Sequence, residues 1–294
     1  MRVSAIIPNQ GRVVTELGLN AMGEAAEVSG VSGLWLSDHL LMVDTDAREY
    51  PFSSDGRPPW ALDTDYFEAL TCCAFLLSAT RTCRVGTAVL LAAQRHVLEL
   101  AKVTATLDRL SGGRLNLGVG AGWSRSEMSA LGFNPDTRGK RLDEMIDALR
   151  LCWSGRPEPQ VGTEVTIPPN LLMFPTPVQR GGPPILVGGS SPAALRRAGQ
   201  TGDGWLGITY VASFDSRDLA DQVSAVRGFA GPRRFPESQL VLKLHSFPSE
   251  THQVVPLLGE VAALGFDEVI VDPPWALGID EAKRFLRECV EHAK

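Results

Sequence analysis

The chain has 294 residues, 44% hydrophobic and 21% charged, an ordinary globular composition with ample apolar material for a sizeable core. A net charge of −6 and a pI near 5.5 argue against nucleic acid or an anionic membrane as the main partner. The longest greasy stretch, ALTCCAFLLSA, is shorter than the roughly 20 residues of a membrane span, and VSAII is too short for a signal core. A soluble, cytoplasmic chain is the expectation.

In chain order, the first strand candidate is 3–7, followed by a helical pattern over 15–30. The second strand, 33–37, runs into Asp38 and His39 and opens a long connection, 38–63. A helical pattern over 65–80 carries Cys72 and Cys73, and a third strand at 83–89 contains Gly86, which hints at a bulge or close backbone approach. Helix 96–110 has apolar residues at Leu98, Ala101, Leu107 and Leu110, and strand 114–120 leads into GVGAGW. Helix 141–153 precedes a second long connection, 155–184, dense in proline and glycine.

Strand 184–189 and helix 191–202 follow, then strand 204–208, helix 214–230, strand 240–244, helix 251–265, strand 267–272 and helix 280–292. Several strands are apolar on both faces, as buried parallel strands are. Eight strands alternating with eight helices predict one (β/α)₈ TIM barrel over 1–294, with an insertion before the fifth strand, in preference to a doubly wound sheet. The 38–63 loop should lie over the carboxyl-end face. The 155–184 segment is long enough to wrap the barrel, with a fold-back over that face left open. The basic pairs Arg196-Arg197 and Arg233-Arg234 read as solvated faces.

Three stretches could carry chemistry. In GVGAGW, Gly118 and Gly120 fit a dinucleotide fingerprint, but Trp123 stands at the third glycine's place and Gly122 is off by one. Ser124 and Glu127 form a capping-box pattern, so a helix starts there and Glu127 reads as a cap rather than a catalytic acid. The glycines either admit a flat ligand or serve a tight turn. In PILVGGSSPAAL, Gly188, Gly189 and Ser190 precede Ser191 as N-cap and Pro192 as first helical residue. That turn is a phosphate cradle or simply a well-capped helix. In WLSDHL, His39 at a strand end can bond a ligand or move a proton, with Asp38 orienting it or capping the turn.

Other chemistries find little support. The five cysteines lack a CxxC pair and read as reduced core residues, the histidines lack zinc spacing, and no GxSxG is present. No metal is expected. Glycine-rich strand ends without an activated nucleophile suit an enzyme whose cofactor supplies the chemistry.

At these residues the chain resembles the luciferase-like family of flavin and deazaflavin oxidoreductases. WLSDHL, SATRTCRVGTAVLL, RHVLELAKVTATLDRLSGGRLNLGVGAGWSRSEMSALG, RGKRLDEMIDALRLCW and PPILVGGSSPAALRRAGQTGDGW stand in family order over most of the chain. SDH and GVGAGW are closer to the branch that uses coenzyme F420. The resemblance implies a barrel with a deazaflavin or flavin ring over the strand ends. That ring would lie against a non-proline cis peptide in Thr87-Ala88-Val89, at Ala88–Val89. The resemblance further implies that Gly120, Ala121, Gly122 and Trp123 lie along the ring and that Gly188, Gly189, Ser190 and Ser191 take the cofactor phosphate. Asp38 and His39 would stand beside the redox carbon, with His39 moving the proton.

Two departures stand out. The sugar-phosphate dehydrogenases of that branch have glutamate where this chain has Trp123, which argues against sugar-phosphate oxidation, and Val97 replaces the proline usual after RH. The expected activity is an F420-dependent oxidoreductase passing hydride between the deazaflavin C5 and a small organic substrate. The alternative is an FMN-dependent monooxygenase served by a flavin reductase. A barrel that only binds such a cofactor is the non-enzyme reading. Family members are often homodimers.

Overall fold

Strands that are apolar on both faces need a packed interior on one side and helices on the other. The computed structural model describes residues 1–44, 50–51, 53, 56–234 and 239–293, the side chains of 231–234 excepted. Part of the 38–63 connection and the side chains of Arg233 and Arg234 thus lie outside the described residues. In chain order the strands are β1 (Arg2–Ile6), β2 (Gly33–Leu36), β3 (Arg84–Leu91), β4 (Leu115–Gly120), β5 (Gln160–Val161), β6 (Thr166–Ile167), β7 (Ile185–Gly188), β8 (Gly204–Tyr210), β9 (Gln239–His245) and β10 (Glu268–Val271). All but β5 and β6 close into a parallel barrel in the order β1-β10-β9-β8-β7-β4-β3-β2. This is the (β/α)₈ barrel expected from the sequence.

The helices are α1 (Arg12–Leu17), α2 (Leu19–Val28), α3 (Ala69–Ala79), α4 (Val97–Ser111), α5 (Arg125–Ala130), α6 (Arg138–Cys152), α7 (Pro192–Gln200), α8 (Ser216–Arg234), α9 (Val254–Ala263) and α10 (Ile279–His292). The helical pattern over 15–30 is two helices, because Gly18 takes φ 82° and turns the chain between them. Helix α3 starts later than its apolar pattern, where the Glu68 carboxylate accepts from Leu70 N and Thr71 N at 3.1 and 2.6 Å. No helix of the described residues is long and apolar enough to cross a membrane.

Alternation along the strands separates two apolar layers. Trp35, Leu186, Leu206, Val241 and Ile270 fill the barrel's interior, while residues such as Leu34, Ile185, Leu240 and Leu242 pack outward against the helices. The Trp35 ring crosses β3 over Gly86, where a Cβ would come within 2.7 Å of it. Its indole N–H donates to Glu268 Oε1 at 2.8 Å, an oxygen that also accepts from Ser4 Oγ at 2.7 Å. A carboxylate buried at the base of the barrel is thereby supplied with donors. All five cysteines are buried free thiols.

The insertion between α6 and β7 packs along the barrel's flank and base. Its β5–β6 turn is held by Glu144 of α6, which accepts from Glu164 N and Val165 N at 2.9 Å. The chain then descends past α4, and Asp108 accepts from Val178 N and Gln179 N at 2.8 and 3.1 Å near the start of β4. The β5–β6 turn itself lies near the carboxyl-end rim, because Arg141 donates to Glu164 O at 2.5 Å and to Ala93 O and Arg95 O, just after β3, at 2.7 and 3.1 Å. Arg197 differs from expectation. Rather than facing solvent, its guanidinium pairs with Asp143 and donates to Gly139 O at 2.9 Å, tying α7 to α6.

Two glycines should respond oppositely to alanine. A Cβ at Gly118 collides with Thr87 O and with Leu206, so Gly118→Ala should lower the urea-unfolding free energy by about 1–3 kcal/mol. Gly259, exposed within α9 with nothing near its Cβ position, should gain about 0.5–1 kcal/mol as alanine.

Acid stability should depend on Glu27. Burial alone would raise its pKa, but hydrogen bonds from Cys83, Thr82 and Arg81 lower it from 4.5 to about 2. A depressed folded-state pKa contributes stability that is complete above 4.5 and lost as pH falls toward 2. Unfolding followed across that window should show the wild type losing its advantage over Glu27→Gln; parallel curves would refute the assignment.

Candidate active site

Strand β2 and its extension turn Trp35, Ser37 and His39 inward in succession, the last at the barrel's carboxyl-end mouth. Just below His39, Ser37 Oγ accepts from Tyr66 Oη at 2.6 Å and donates to Asn9 Oδ1 at 3.2 Å. Asn9 Nδ2 in turn donates to Ser37 O and Phe67 O at 2.9 and 2.8 Å. These bonds pin the loop after β1, the end of β2 and the approach to α3 to one another.

The His39 ring is oriented from both nitrogens. Its Nδ1 lies 2.8 Å from Glu127 Oε2, and Trp123 Nε1 approaches its Nε2 at 3.3 Å. An indole N–H only donates, so Nε2 must accept. The imidazole is therefore the neutral Nδ1–H tautomer, donating to Glu127. Glu127 Oε1 accepts from Leu40 N at 2.7 Å and Leu41 N at 3.3 Å. Burial would raise this carboxyl's pKa, but the hydrogen bonds from His39, Leu40 N and Leu41 N hold it below the usual carboxylate range.

Ser124 Oγ accepts from Glu127 N at 2.8 Å, so the helix start read from the sequence is there. Glu127 does more than the cap it was read as, because its carboxylate serves the loop after β2. That role carries no local signature, since His39 is 88 residues away.

Aromatic rings form the wall around His39. Trp123, Tyr66 and Trp60 have ring centroids 5.6, 5.5 and 6.2 Å from it. Tyr50 packs edge-on against Trp60 and Trp123 at 5.3 and 5.4 Å. Burial pushes the Tyr50 and Tyr66 phenols up, so both stay protonated. Tyr50 also hydrogen-bonds Tyr210 at the end of β8. The long connection thus reaches over the carboxyl-end face, as expected. Sequence reasoning missed its aromatic residues, although YPF, PPW and DYF crowd into 50–67.

Asp38 points the other way. It is 3% exposed, and its oxygens accept from Leu91 N at 2.9 Å and Arg95 Nη2 at 2.8 Å. It joins the ends of β2 and β3 rather than facing the mouth. Thr87 is likewise buried and donates to Gly118 O at 2.9 Å. Between Thr87 and Leu90 the β3–β4 register slips, and the Ala88–Val89 peptide is cis. Ala88 and Val89 are half-buried against the interior layer.

The flanking glycines fit this bulge. A Cβ at Gly120 or Gly188 would come within 2.6 Å of a Val89 methyl, so Val89 itself requires both. Gly122 and Gly189 are needed for their own backbone, with φ of 83° and 111°. Ala121, Gly122 and Trp123 are half-buried along the β4 end. After β7, Ser191 Oγ caps α7 through Ala194 N, Gly189 O accepts from Trp205 Nε1 at 2.9 Å, and Ser190 is exposed. The bulge, the β4 turn and the β7 turn adjoin on consecutive strands, with His39 on the next.

A second histidine pair, not anticipated, stands at the far rim. His245 Nδ1, at the end of β9, lies 2.9 Å from Asp272 Oδ2, which also accepts from Ser246 N at 3.1 Å. The Tyr210 ring meets the His245 ring edge-on at 4.8 Å. The two residues of the pair lie 27 positions apart, and the parallel pairing of β9 with β10 brings their strand ends together.

The family profile described as luciferase-like monooxygenase matches residues 9–255. An uncharacterized protein of Mycobacterium bovis is 32% identical over 185 residues, 63% of each chain. An F420-dependent glucose-6-phosphate dehydrogenase of Microbacterium testaceum is 32% identical over 63% of this chain and 50% of its own length. The match thus spans less than two thirds of either relative. Among solved structures, an F420-dependent secondary alcohol dehydrogenase in complex with an F420-acetone adduct shares the fold. Its TM-score is 0.78 at 13% identity, covering 100% of this chain and 99% of that one. On the profile match, the chain belongs to the luciferase-like monooxygenase family.

Proposed function

We propose that this protein is an F420-dependent oxidoreductase acting on a small organic substrate at the carboxyl-end mouth of the barrel. The observation that carries the reading is the His39–Glu127 pair, a neutral imidazole whose Nε2 lone pair is directed into an aromatic-walled site. The F420-dependent relative supports the choice of cofactor.

The residues present fit a deazaflavin. Ala88 and Val89 would support the ring from β3, the Gly120–Trp123 turn would flank it, and the Gly188–Ser191 turn at the start of α7 would take its phosphate. Gln94 Nε2, on the segment after β3, and Trp60 Nε1, in the aromatic wall, are buried without a partner among the described residues and suit the polar edge of such a ring. When bound, F420 supplies a two-electron hydride acceptor or donor.

The protein's own contribution is proton movement and water exclusion. In the oxidative direction, a substrate hydroxyl displaces the Trp123 indole from His39 Nε2 and gives that nitrogen its proton. The Glu127 carboxylate then faces an imidazolium across the Nδ1 bond and stabilises it. In the reductive direction, the same nitrogen returns the proton to the product oxygen. Trp60, Tyr66 and Trp123 supply apolar walls, a poor match to a sugar phosphate.

Separate titrations with F420 and FMN test the cofactor. F420 should bind at least about tenfold more tightly, a difference of about 1.4 kcal/mol. Binding of FMN alone would overturn the reading in favour of an oxygen-using flavin monooxygenase. For the proton role, F420 reduction by a panel of small alcohols should fall about 10²–10⁴-fold in His39→Ala, with F420 affinity changed less than about threefold. Equal turnover in the two proteins would remove His39 from the chemistry.

A further inference from the structure

The inward face of β9 carries Val241, Lys243 and His245 in succession. Val241 belongs to the interior layer, whereas Leu240, Leu242 and Leu244 pack outward against the helices. Lys243 is therefore turned into the barrel, one step nearer the mouth than Val241. Register agrees, because Lys243 lies level with Ile208 on β8 and with the interior residue Ile270 on β10.

This half-buried lysine has no hydrogen bond or ion pair to any described residue. The acids that could neutralise it are already occupied. Asp272 Oδ2 accepts from His245 Nδ1 and Ser246 N, and Glu268, at the base, is held by Ser4, Trp35 and Arg2. Glu127 and Asp38 serve donors on the opposite side of the mouth. Arg95, another cation there, is paired with Asp38 and Glu68. Its ammonium is thus turned into the barrel, unpaired among the described residues but still open to the mouth, where an anion supplied from outside the protein can reach it.

Strand β9 stands directly across the barrel from β3, with three strands between them in either direction. We propose that Lys243 anchors the substrate through a carboxylate, holding the reacting carbon between itself and the Ala88–Val89 bulge. The rings of Tyr210 and His245 above it provide an aromatic flank for the substrate body. The substrate class is then a small, largely apolar carboxylic acid bearing the alcohol or carbonyl that reacts. This deepens the F420 reading and rests on it for the reaction, but not for the binding of the carboxylate.

Calorimetric titration with phenylacetate and its neutral analogue phenylacetamide tests the assignment on the full chain. Phenylacetate should bind the wild type. Lys243→Met should raise its Kd at least about tenfold, Lys243→Arg should restore part of the affinity, and phenylacetamide binding should change less than about twofold. F420 affinity should be unaltered in both variants. No phenylacetate binding to the wild type, an unchanged Kd in Lys243→Met, or equal losses for acid and amide would overturn the proposal. Weakened F420 binding with phenylacetate unaffected would also overturn it, assigning the lysine to the cofactor. If F420 binds none of the proteins, the cofactor reading falls alone, and the acid–amide comparison still decides Lys243.

Discussion

The mouth of this barrel is organised around one buried carboxylate. Glu127 is fully removed from solvent, and a charge in that position persists only if its lone pairs are filled. His39 and the backbone of Leu40 and Leu41 fill them. The same bonds fix where the chain goes after β2, which imidazole nitrogen carries the proton, and how the β4 turn sits against the β2 end. Truncating Glu127 would leave these donors unpaired, so the orientation of His39 and the course of the loop are one structural fact.

A different constraint, close packing, shapes the neighbouring wall. Val89 fills the space that side chains at Gly120 and Gly188 would need. Gly120 is thus required by Val89, and Gly118, the other glycine that resembles a nucleotide signature, by Thr87 O and Leu206. Charge is distributed just as unevenly. Asp38, Glu127 and Asp272 all accept from donors of the protein, while Lys243 has no acceptor among the described residues.

Most of the architecture was legible in the sequence. Strands apolar on both faces and separated by amphipathic helices call for a buried parallel sheet, and eight such pairs suit a closed barrel; all eight strands appear within two residues of their expected bounds. Local backbone chemistry was legible too, as in Ser191 capping α7. The errors fall where the linear pattern is silent on a turn or a distant partner. Gly18 splits one helical pattern into two, and Arg197 finds Asp143 on another helix. A solvated arginine and one engaged in an ion pair look alike in sequence, because the partner lies 54 residues away.

The sequence by itself determined the barrel, the strand ends that bear His39 and the glycine turns, and the family to which the chain belongs. Periodicity and turn residues act over a few positions, so they survive in a linear reading. The tertiary structure alone decided that Glu127 orients His39, that Asp38 is a brace, that the rings of His39, Trp123, Tyr66, Trp60 and Tyr50 share one wall, and that Lys243 is unpaired among the described residues. Each of those depends on which side chains meet at the strand ends. That meeting is set by strand pairing and register between segments far apart in sequence, which no local stretch of the chain records.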